Sequence, residues 1–112
     1  MMNDRRTFAR IKIKIPLKFL NPLNEKKGQA ETVDISANGI GFVTGEDLPP
    51  QTPLEIWLDV PDHHEPLHLL GRVAWSTDAD DHLSKRIGVQ LEEQRLIGVG
   101  RVWHYKDTHP EE

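Results

Sequence analysis

The alternating stretch Ile11-Lys12-Ile13-Lys14-Ile15-Pro16-Leu17-Lys18-Phe19 decides the fold of this chain. Every odd position is apolar, and most even positions are lysine. An alternation with a period of two predicts a β-strand that buries one face and exposes the other to water. Pro16 falls on the polar face and cannot donate a backbone hydrogen bond, so we expect a sheet edge or a bulge at this point.

Five further apolar runs follow this strand, and turn-forming residues separate them. They span residues 30–35, 40–44, 54–60, 67–75 and 86–91. The junction between the first two of these runs, Ser36-Ala37-Asn38-Gly39, is short and polar, and we expect a positive φ angle at Gly39. The chain is therefore predicted to be mainly β.

Only the last part of the chain changes its period. Leu96, Val99 and Trp103 recur at helical spacing, which predicts a helix from Glu92 to about Tyr105. Two glycines inside this helix weaken it, so it must depend on packing against another element. The predicted architecture is a six-stranded antiparallel β-barrel with one C-terminal α-helix over an open end or face. We interpret the three tryptophans as core or helix-packing residues rather than stacking platforms, at positions Trp57, Trp75 and Trp103.

Composition limits the classes of protein that this chain can belong to. Its 112 residues suit one domain, and 37% hydrophobic residues are enough for a modest core. The absence of cysteine excludes disulfide scaffolds, thiolate zinc sites and thiol nucleophiles. No apolar run approaches roughly 18 residues, and the basic N-terminus lacks a signal-type apolar segment. We expect a cytoplasmic protein without a membrane span.

Charge is distributed unevenly along the chain. Residues 1–27 hold eight Lys and Arg against two acids, a net charge of +6, whereas residues 28–112 hold six against sixteen, a net charge of −10. The acidic remainder argues against a long nucleic acid, whose binders usually carry a basic stripe across the domain. A small anion bound near the N-terminus suits this distribution better.

Two short motifs combine polar groups at unusual spacing. Arg5-Arg6-Thr7-Phe8-Ala9-Arg10 contains an RxxxR pattern directly before the first strand, and Asp34-Ile35-Ser36-Ala37-Asn38-Gly39 is a DxSxxG pattern at a turn. Together they resemble the PilZ domain family, receptor modules for the bacterial second messenger cyclic di-GMP. The likeness continues through Gly71-Arg72-Val73-Ala74-Trp75 and Arg86-Ile87-Gly88-Val89 and covers nearly the whole chain.

The resemblance implies a PilZ-like barrel of the split-barrel type, and it implies a set of ligand-binding residues. Arg6, Arg10, Asp34, Ser36 and Gly39 take the positions of the family's binding residues. Asn38 is added to the set for its position beside them. Arg5 has two interpretations that stay open: it grips an intercalated pair of ligand molecules, or it is a solvated terminal residue.

These residue types suit the chemistry of cyclic di-GMP, a dianion with two guanines. A guanidinium group can pair with phosphate, bind guanine O6 and N7, or stack on a base. A carboxylate only accepts hydrogen bonds, so Asp34 matches the N1–H and N2–H donors of guanine. Ser36 can donate to an acceptor on the ligand, and Gly39 leaves room for its approach. The competing interpretation is that Asp34 and Ser36 only satisfy local backbone groups in the turn.

The chain is predicted to have three parts, and the first of them is expected to become ordered when the ligand binds. Residues 1–10 are cationic and lack periodicity, so we expect a flexible segment that orders over the barrel when the dianion binds. Residues 11–105 form the barrel and helix, and residues 106–112 form a frayed tail. With no output domain attached, the receptor must pass its signal to an unidentified protein partner. We expect a monomer with no cofactor and no metal.

Three other classes of protein are alternatives to a cyclic di-GMP receptor. The main alternative is a PilZ-like adaptor that binds protein but no nucleotide. An enzyme is disfavoured: His63, His64, Glu65 and His68 could suggest a metal site, but Pro66 breaks any helix that would align them, and Ser36 lacks a nucleophile-elbow sequence. A single-strand nucleic-acid binder is disfavoured by the acidic surplus.

Overall fold

The computed structural model of the protein describes residues 10–62, 64–92, 101–102 and 104–106. The strands in chain order are β1 (Ile11–Lys12), β2 (Pro16–Asn21), β3 (Lys26–Ser36), β4 (Gly39–Thr44), β5 (Pro53–Leu58), β6 (Leu67–Asp78) and β7 (Lys85–Leu91).

Six of these strands close into an antiparallel barrel. Its order is β3-β2-β5-β6-β7-β4, and β4 pairs back onto β3. The additional short strand β1 pairs with β3 beyond the end of β2. The predicted six-stranded antiparallel barrel is therefore confirmed, with one extra strand.

The first predicted strand is interrupted in its middle. Residues 13–15 separate β1 from β2, and Pro16 opens β2 with its side chain exposed. On the partner strand, the register shifts between Thr32 and Asp34. The Thr32 hydroxyl bridges the interruption, because it accepts a hydrogen bond from the Ile15 backbone N at 2.9 Å and donates one to the Ile13 carbonyl. The apolar alternation survives the break, with Ile11, Ile13, Ile15, Leu17 and Phe19 all buried.

Two strand boundaries differ from the prediction because pairing recruits polar residues. The strand predicted at 30–35 begins at Lys26, since Lys26–Glu31 pair with β2 in a hairpin. The strand predicted at 67–75 continues to Asp78 by pairing with β7. Cross-strand hydrogen bonds outweigh the low strand propensity of these polar residues.

The core fills the barrel, and a C-terminal helical segment packs against it. Phe19 and Phe42 stack inside the barrel with ring centroids 5.7 Å apart. The helical residues are 101–102 and 104–106; Val102 is fully buried, and Tyr105 packs against the core. The predicted helix start at Glu92 is wrong, because Glu92 lies in a bend where its backbone N donates to the Leu70 carbonyl. Leu96, Val99 and Trp103 lie outside the described residues.

Two polar contacts hold the helical segment in place. Arg101 donates two hydrogen bonds to the Asp62 carboxylate, at 2.9 and 2.7 Å. The hydrogen bonds from Arg101 lower the pKa of Asp62 to about 2. The Lys106 ammonium donates to the Lys12 carbonyl at 3.0 Å, which joins the segment to β1. Within the described residues, no helix has the length and hydropathy needed to cross a bilayer.

Candidate ligand-binding surface

Arg10 and Asp34 meet on the outside of the barrel. The pairing of β1 with β3 sets Lys12 opposite Asp34 and leaves Arg10 beside the end of β3. The Arg10 Nη1 atom donates to the Asp34 Oδ1 atom at 3.0 Å. The Arg10 side chain is 46% exposed, whereas that of Asp34 is 13% exposed. Two motifs that lie 24 residues apart in sequence are thus joined by an ion pair.

The DxSxxG turn is a tight hairpin between β3 and β4. Ser36 pairs with Gly39 across it, and Ala37 and Asn38 form the turn. The buried Ser36 hydroxyl donates to the Asn38 Oδ1 atom at 2.8 Å, while Asn38 itself is exposed. In this arrangement the Ser36 hydroxyl donates its hydrogen bond to a side chain within the turn.

Gly39 contributes space rather than an unusual backbone angle. Its φ is not positive, so that expectation is wrong. A Cβ atom at this position would lie 3.1 Å from the Val89 carbonyl oxygen and 3.3 Å from the Arg10 Nη2 atom. A larger residue would therefore press on the guanidinium group.

Two more glycines lie beside Gly39 on the same face of the sheet and are covered by neighbouring side chains. A Cβ atom at Gly41 would lie 2.6 Å from the Asp34 Oδ1 atom, and one at Gly88 would overlap the Trp75 indole. Together with Gly39 they form a flat area on the outer face of the sheet, which we call the glycine floor. The Asp34 carboxylate and the Trp75 indole lean over this floor because glycines occupy it.

One cross-strand row runs through the floor. Asp34 pairs with Gly41, Gly41 with Gly88, and Gly88 with Trp75. The neighbours Phe42 and Ile87 are fully buried, so this row faces outward. Opposed Cβ positions in such a sheet are about 5 Å apart, and the carboxylate and the indole approach each other across one such pair.

Trp75 is exposed because of a β-bulge. Leu69 and Val73 point into the core, and strict alternation would turn Trp75 inward as well. The register of β6 shifts between Val73 and Trp75, which turns the indole outward and leaves it 39% exposed. The interpretation of Trp75 as a core residue is therefore wrong. Trp57 is half-buried, and its ring lies tilted by 32° to that of His68 with the ring centroids 5.2 Å apart. Trp103 lies outside the described residues.

The histidines near Pro66 do not form a metal site in the described structure. Arg5 and Arg6 lie outside the described residues, as does His63. The His68 Nε2 atom lies 2.7 Å from the Glu55 Oε1 atom. Across the described positions, no group of three His, Asp or Glu side chains is arranged to hold a metal ion.

A separate groove of about 530 Å³ lies at the interruption between β1 and β2. It lies on the outer face beside the β3 bulge, and none of the predicted site residues contributes to its lining. The lining residues are Lys14, Pro16, Gln29, Ala30, Glu31, Thr32, Val33 and Val43.

The family profile of the PilZ domain matches residues 4–100. The chain belongs to the PilZ domain family. The match spans both motifs and the strands that carry Trp75 and Gly88, so the resemblance seen in the sequence is confirmed. No curated protein sequence matches this chain.

Solved PilZ structures share the fold at low sequence identity. The PilZ domain with c-di-GMP of YcgR from Escherichia coli is 12% identical with a TM-score of 0.70, and 96% of each chain is covered. The PilZ domain of CeSA from a cellulose synthesizing bacterium is 21% identical with a TM-score of 0.63, covering 84% of this chain and 90% of that one.

A third similar structure is longer than this protein. The Bacillus subtilis inhibitor of motility, MotI/DgrA, is 14% identical with a TM-score of 0.72, and the match covers 96% of this chain. This PilZ chain spans only 52% of the length of MotI/DgrA.

Sequence reasoning missed three residues that shape this PilZ surface: Gly41, Gly88 and Trp75. Trp75 and Gly88 lie in the stretches that carry the family likeness, but the bulge at Ala74 hid the phase of Trp75 on β6. Gly88 lies between the buried Ile87 and Val89 on β7, so its outward direction could be read from the sequence. Gly41 lies two residues after Gly39 on β4, so its outward direction follows from alternation, and this signal was available.

Proposed function

We propose that this PilZ domain is a receptor for cyclic di-GMP and that it acts by binding rather than by catalysis. The observation that carries the proposal is the 3.0 Å contact of Arg10 with Asp34, on the same surface as the partly exposed Trp75 indole, with the two side chains lying over neighbouring glycines. The YcgR domain, which shares the fold, was solved with c-di-GMP, and this supports the same ligand class.

The chemistry of these groups fits a guanine on the floor. The Asp34 carboxylate accepts from the N1–H and N2–H groups of guanine, which adenine does not present in the same pattern. The Arg10 guanidinium binds guanine O6 and N7 or a phosphate. The Trp75 indole stacks on the base plane, a contact worth about 1–3 kcal/mol. Because Gly41 and Gly88 have no side chains, the carboxylate and the indole lie close to the sheet and leave their outer sides available to a flat base.

The proposal also gives roles to the N-terminal arginines and to an interaction with a protein partner. Arg5 and Arg6 lie a few residues before Arg10, so they are within reach of a ligand held at Arg10. The dianion neutralises this cationic stretch and orders residues 1–10 over the barrel, which creates a new surface for a protein partner. Arg5 decides whether one ligand molecule or an intercalated pair is bound.

Isothermal titration with cyclic di-GMP tests the proposal directly. We expect saturable binding to the wild type, and a loss of about 5-fold to 150-fold in affinity for Arg10→Ala and for Asp34→Ala. Cyclic di-AMP serves as the control ligand and should bind far more weakly. Unchanged affinity in both variants would refute the site, and no binding of cyclic di-GMP at all would favour the nucleotide-independent adaptor.

Proton exchange of the backbone amides tests the ordering step. Residues 1–10 should exchange more slowly when cyclic di-GMP is present. Equal exchange in both states would contradict the ordering without touching the binding proposal.

A further inference from the structure

Arg86 borders the glycine floor from β7. Its neighbours Ile87 and Val89 are buried, so Arg86, Gly88 and Gln90 share the outer face of the strand. Residues two apart on a strand are about 7 Å apart, a distance that an extended arginine side chain spans. The guanidinium group of Arg86 can therefore reach the Trp75 indole, which covers Gly88.

Arg10 and Asp34 together bring no net positive charge to the glycine floor. Arg10 carries one positive charge, and the ion pair with Asp34 offsets it. The Asp34 carboxylate is already engaged by Arg10, so this pair brings no surplus positive charge to a ligand with two phosphates. Arg5 and Arg6 are proposed to reach the ligand from the side of Arg10, and a second phosphate on the side of Trp75 needs a cation of its own, since taking phosphate out of water without a partner is costly.

Arg86 is better suited to this role than the other cations near the floor. Arg72 lies opposite Gln90, but its Nη1 atom donates to the Gln51 carbonyl at 3.2 Å. Lys12 lies on the far side of Asp34, away from the floor. Arg86 is exposed, and its guanidinium group makes no hydrogen bond or ion pair with any residue in the described part of the chain.

We propose that Arg86 is a phosphate-binding residue of the same surface. Its guanidinium group pairs with a phosphate of the cyclic dinucleotide while Asp34 and Trp75 hold a guanine over the glycine floor. This inference rests on the proposed function and adds a binding residue on a third part of the chain, apart from both sequence motifs.

The test compares four proteins by isothermal titration with cyclic di-GMP: the wild type, Arg86→Ala, Arg86→Lys and Lys27→Ala. Lys27 is an exposed cation opposite Leu20 on the β2–β3 hairpin, so its removal changes the net charge equally but far from the floor. We expect Arg86→Ala to bind about 5-fold to 20-fold more weakly, as the loss of one charge-assisted contact implies. Arg86→Lys should retain most of the affinity, because a lysine ammonium group can also pair with phosphate. Lys27→Ala should stay within about twofold of wild type.

Salt dependence gives a second readout that a merely structural role would not move. The affinity of Arg86→Ala should fall less steeply with added salt than that of the wild type or Lys27→Ala, because one ionic contact has been removed. An Arg86→Ala affinity within twofold of Lys27→Ala, with the same salt slope, would overturn the inference.

The outcome separates this inference from the proposed function. If Asp34→Ala weakens binding and Arg86→Ala does not, only the role of Arg86 fails. If the wild type does not bind cyclic di-GMP, the receptor function fails with it. The control is thermal unfolding of both variants. If Arg86→Ala and Arg86→Lys unfold at the same temperature as the wild type, any change in affinity comes from the binding surface and not from a loss of stability.

Discussion

Asp34 and Trp75 stand at opposite sides of two paired glycines, Gly41 and Gly88, on the outer face of the barrel. Each side chain leans over the glycine next to it. A carboxylate that can hydrogen-bond a base and an indole that can stack on one therefore face the same small area. This relationship makes the surface suitable for a flat, polar ring, and it leads to predictions that separate binding from stability.

The first prediction concerns Gly41. Its added Cβ atom would lie 2.6 Å from the Asp34 Oδ1 atom, so Gly41→Ala must displace the carboxylate from Arg10. We expect the affinity for cyclic di-GMP to fall about tenfold, while the free energy of unfolding changes by less than about 1 kcal/mol, because a side-chain end can move cheaply. Gly45→Ala is the matched control, since a Cβ there meets nothing within 4 Å. Equal affinity in the two variants would contradict a role for the carboxylate position.

The second prediction concerns the indole of Trp75. Trp75→Ala should weaken cyclic di-GMP binding by about 5-fold to 150-fold, the usual worth of one stacked base, whereas Trp75→Phe should keep most of the affinity. Because the side chain is 39% exposed, neither change should strongly reduce stability. Leu83→Ala, at a residue that is 86% exposed, provides the control. Titration of all three variants decides the matter, and wild-type affinity for Trp75→Ala would rule out stacking.

The third prediction concerns the bridge between β1 and β2. Thr32→Val keeps the shape of the side chain but leaves the buried Ile15 N–H and Ile13 carbonyl without the hydroxyl partner. We expect a loss of about 1–3 kcal/mol in the free energy of unfolding, measured by denaturant titration. Thr77→Val, at an exposed position, should change it by less than about 0.5 kcal/mol. If Thr32→Val leaves the free energy of unfolding unchanged, the hydroxyl bridge does not stabilise the interruption between β1 and β2.

The fourth prediction concerns the pH dependence of stability at Asp62. Its pKa falls from 3.8 to about 2 in the folded protein because Arg101 donates to the carboxylate. A lowered carboxyl pKa stabilises the fold above about pH 4, and that stabilisation is lost as the pH falls through about 2. Asp62→Asn should lower the free energy of unfolding by about 1–2 kcal/mol at pH 7. The difference from wild type should shrink between pH 4 and 2.

Thermal unfolding of both proteins across this pH range checks the prediction. Asp59→Asn removes an exposed carboxylate with no ion pair among the described residues and should lower the melting temperature much less. A constant difference between wild type and Asp62→Asn down to pH 2 would mean that the Arg101 contact is not the source of the stabilisation.

The sequence predicted the barrel and the two motifs that carry Arg10 and Asp34. The alternation from Ile11 to Phe19 correctly assigned every inward side chain, even though the strand breaks at residues 13–15. The two motifs also predicted that the arginine segment and the Asp34–Gly39 turn converge on one ligand, but the ion pair that joins Arg10 to Asp34 was not predicted. The roles of these residues in ligand binding stay predictions, as do those of Arg5, Arg6, Ser36, Asn38 and Gly39.

The helix start and the direction of Trp75 were beyond sequence reasoning. Glu92 lies in a bend because its backbone N donates to Leu70 on β6, a partner that local helical periodicity cannot reveal. Trp75 faces outward because one extra residue, Ala74, is inserted opposite β7. Bulges depend on how two strands pair, so a single strand's pattern does not contain them.

The sequence by itself determined which side chains enter the core and which chemical groups are available for a ligand, because strand alternation and residue identity are local properties. Only the tertiary structure decided that Asp34, Gly41, Gly88 and Trp75 form one row, with Arg10 at one end and Arg86 along its side. That row arises from four strands that pair across long sequence separations, and the register of each pairing is set by barrel closure and by bulges rather than by any one segment.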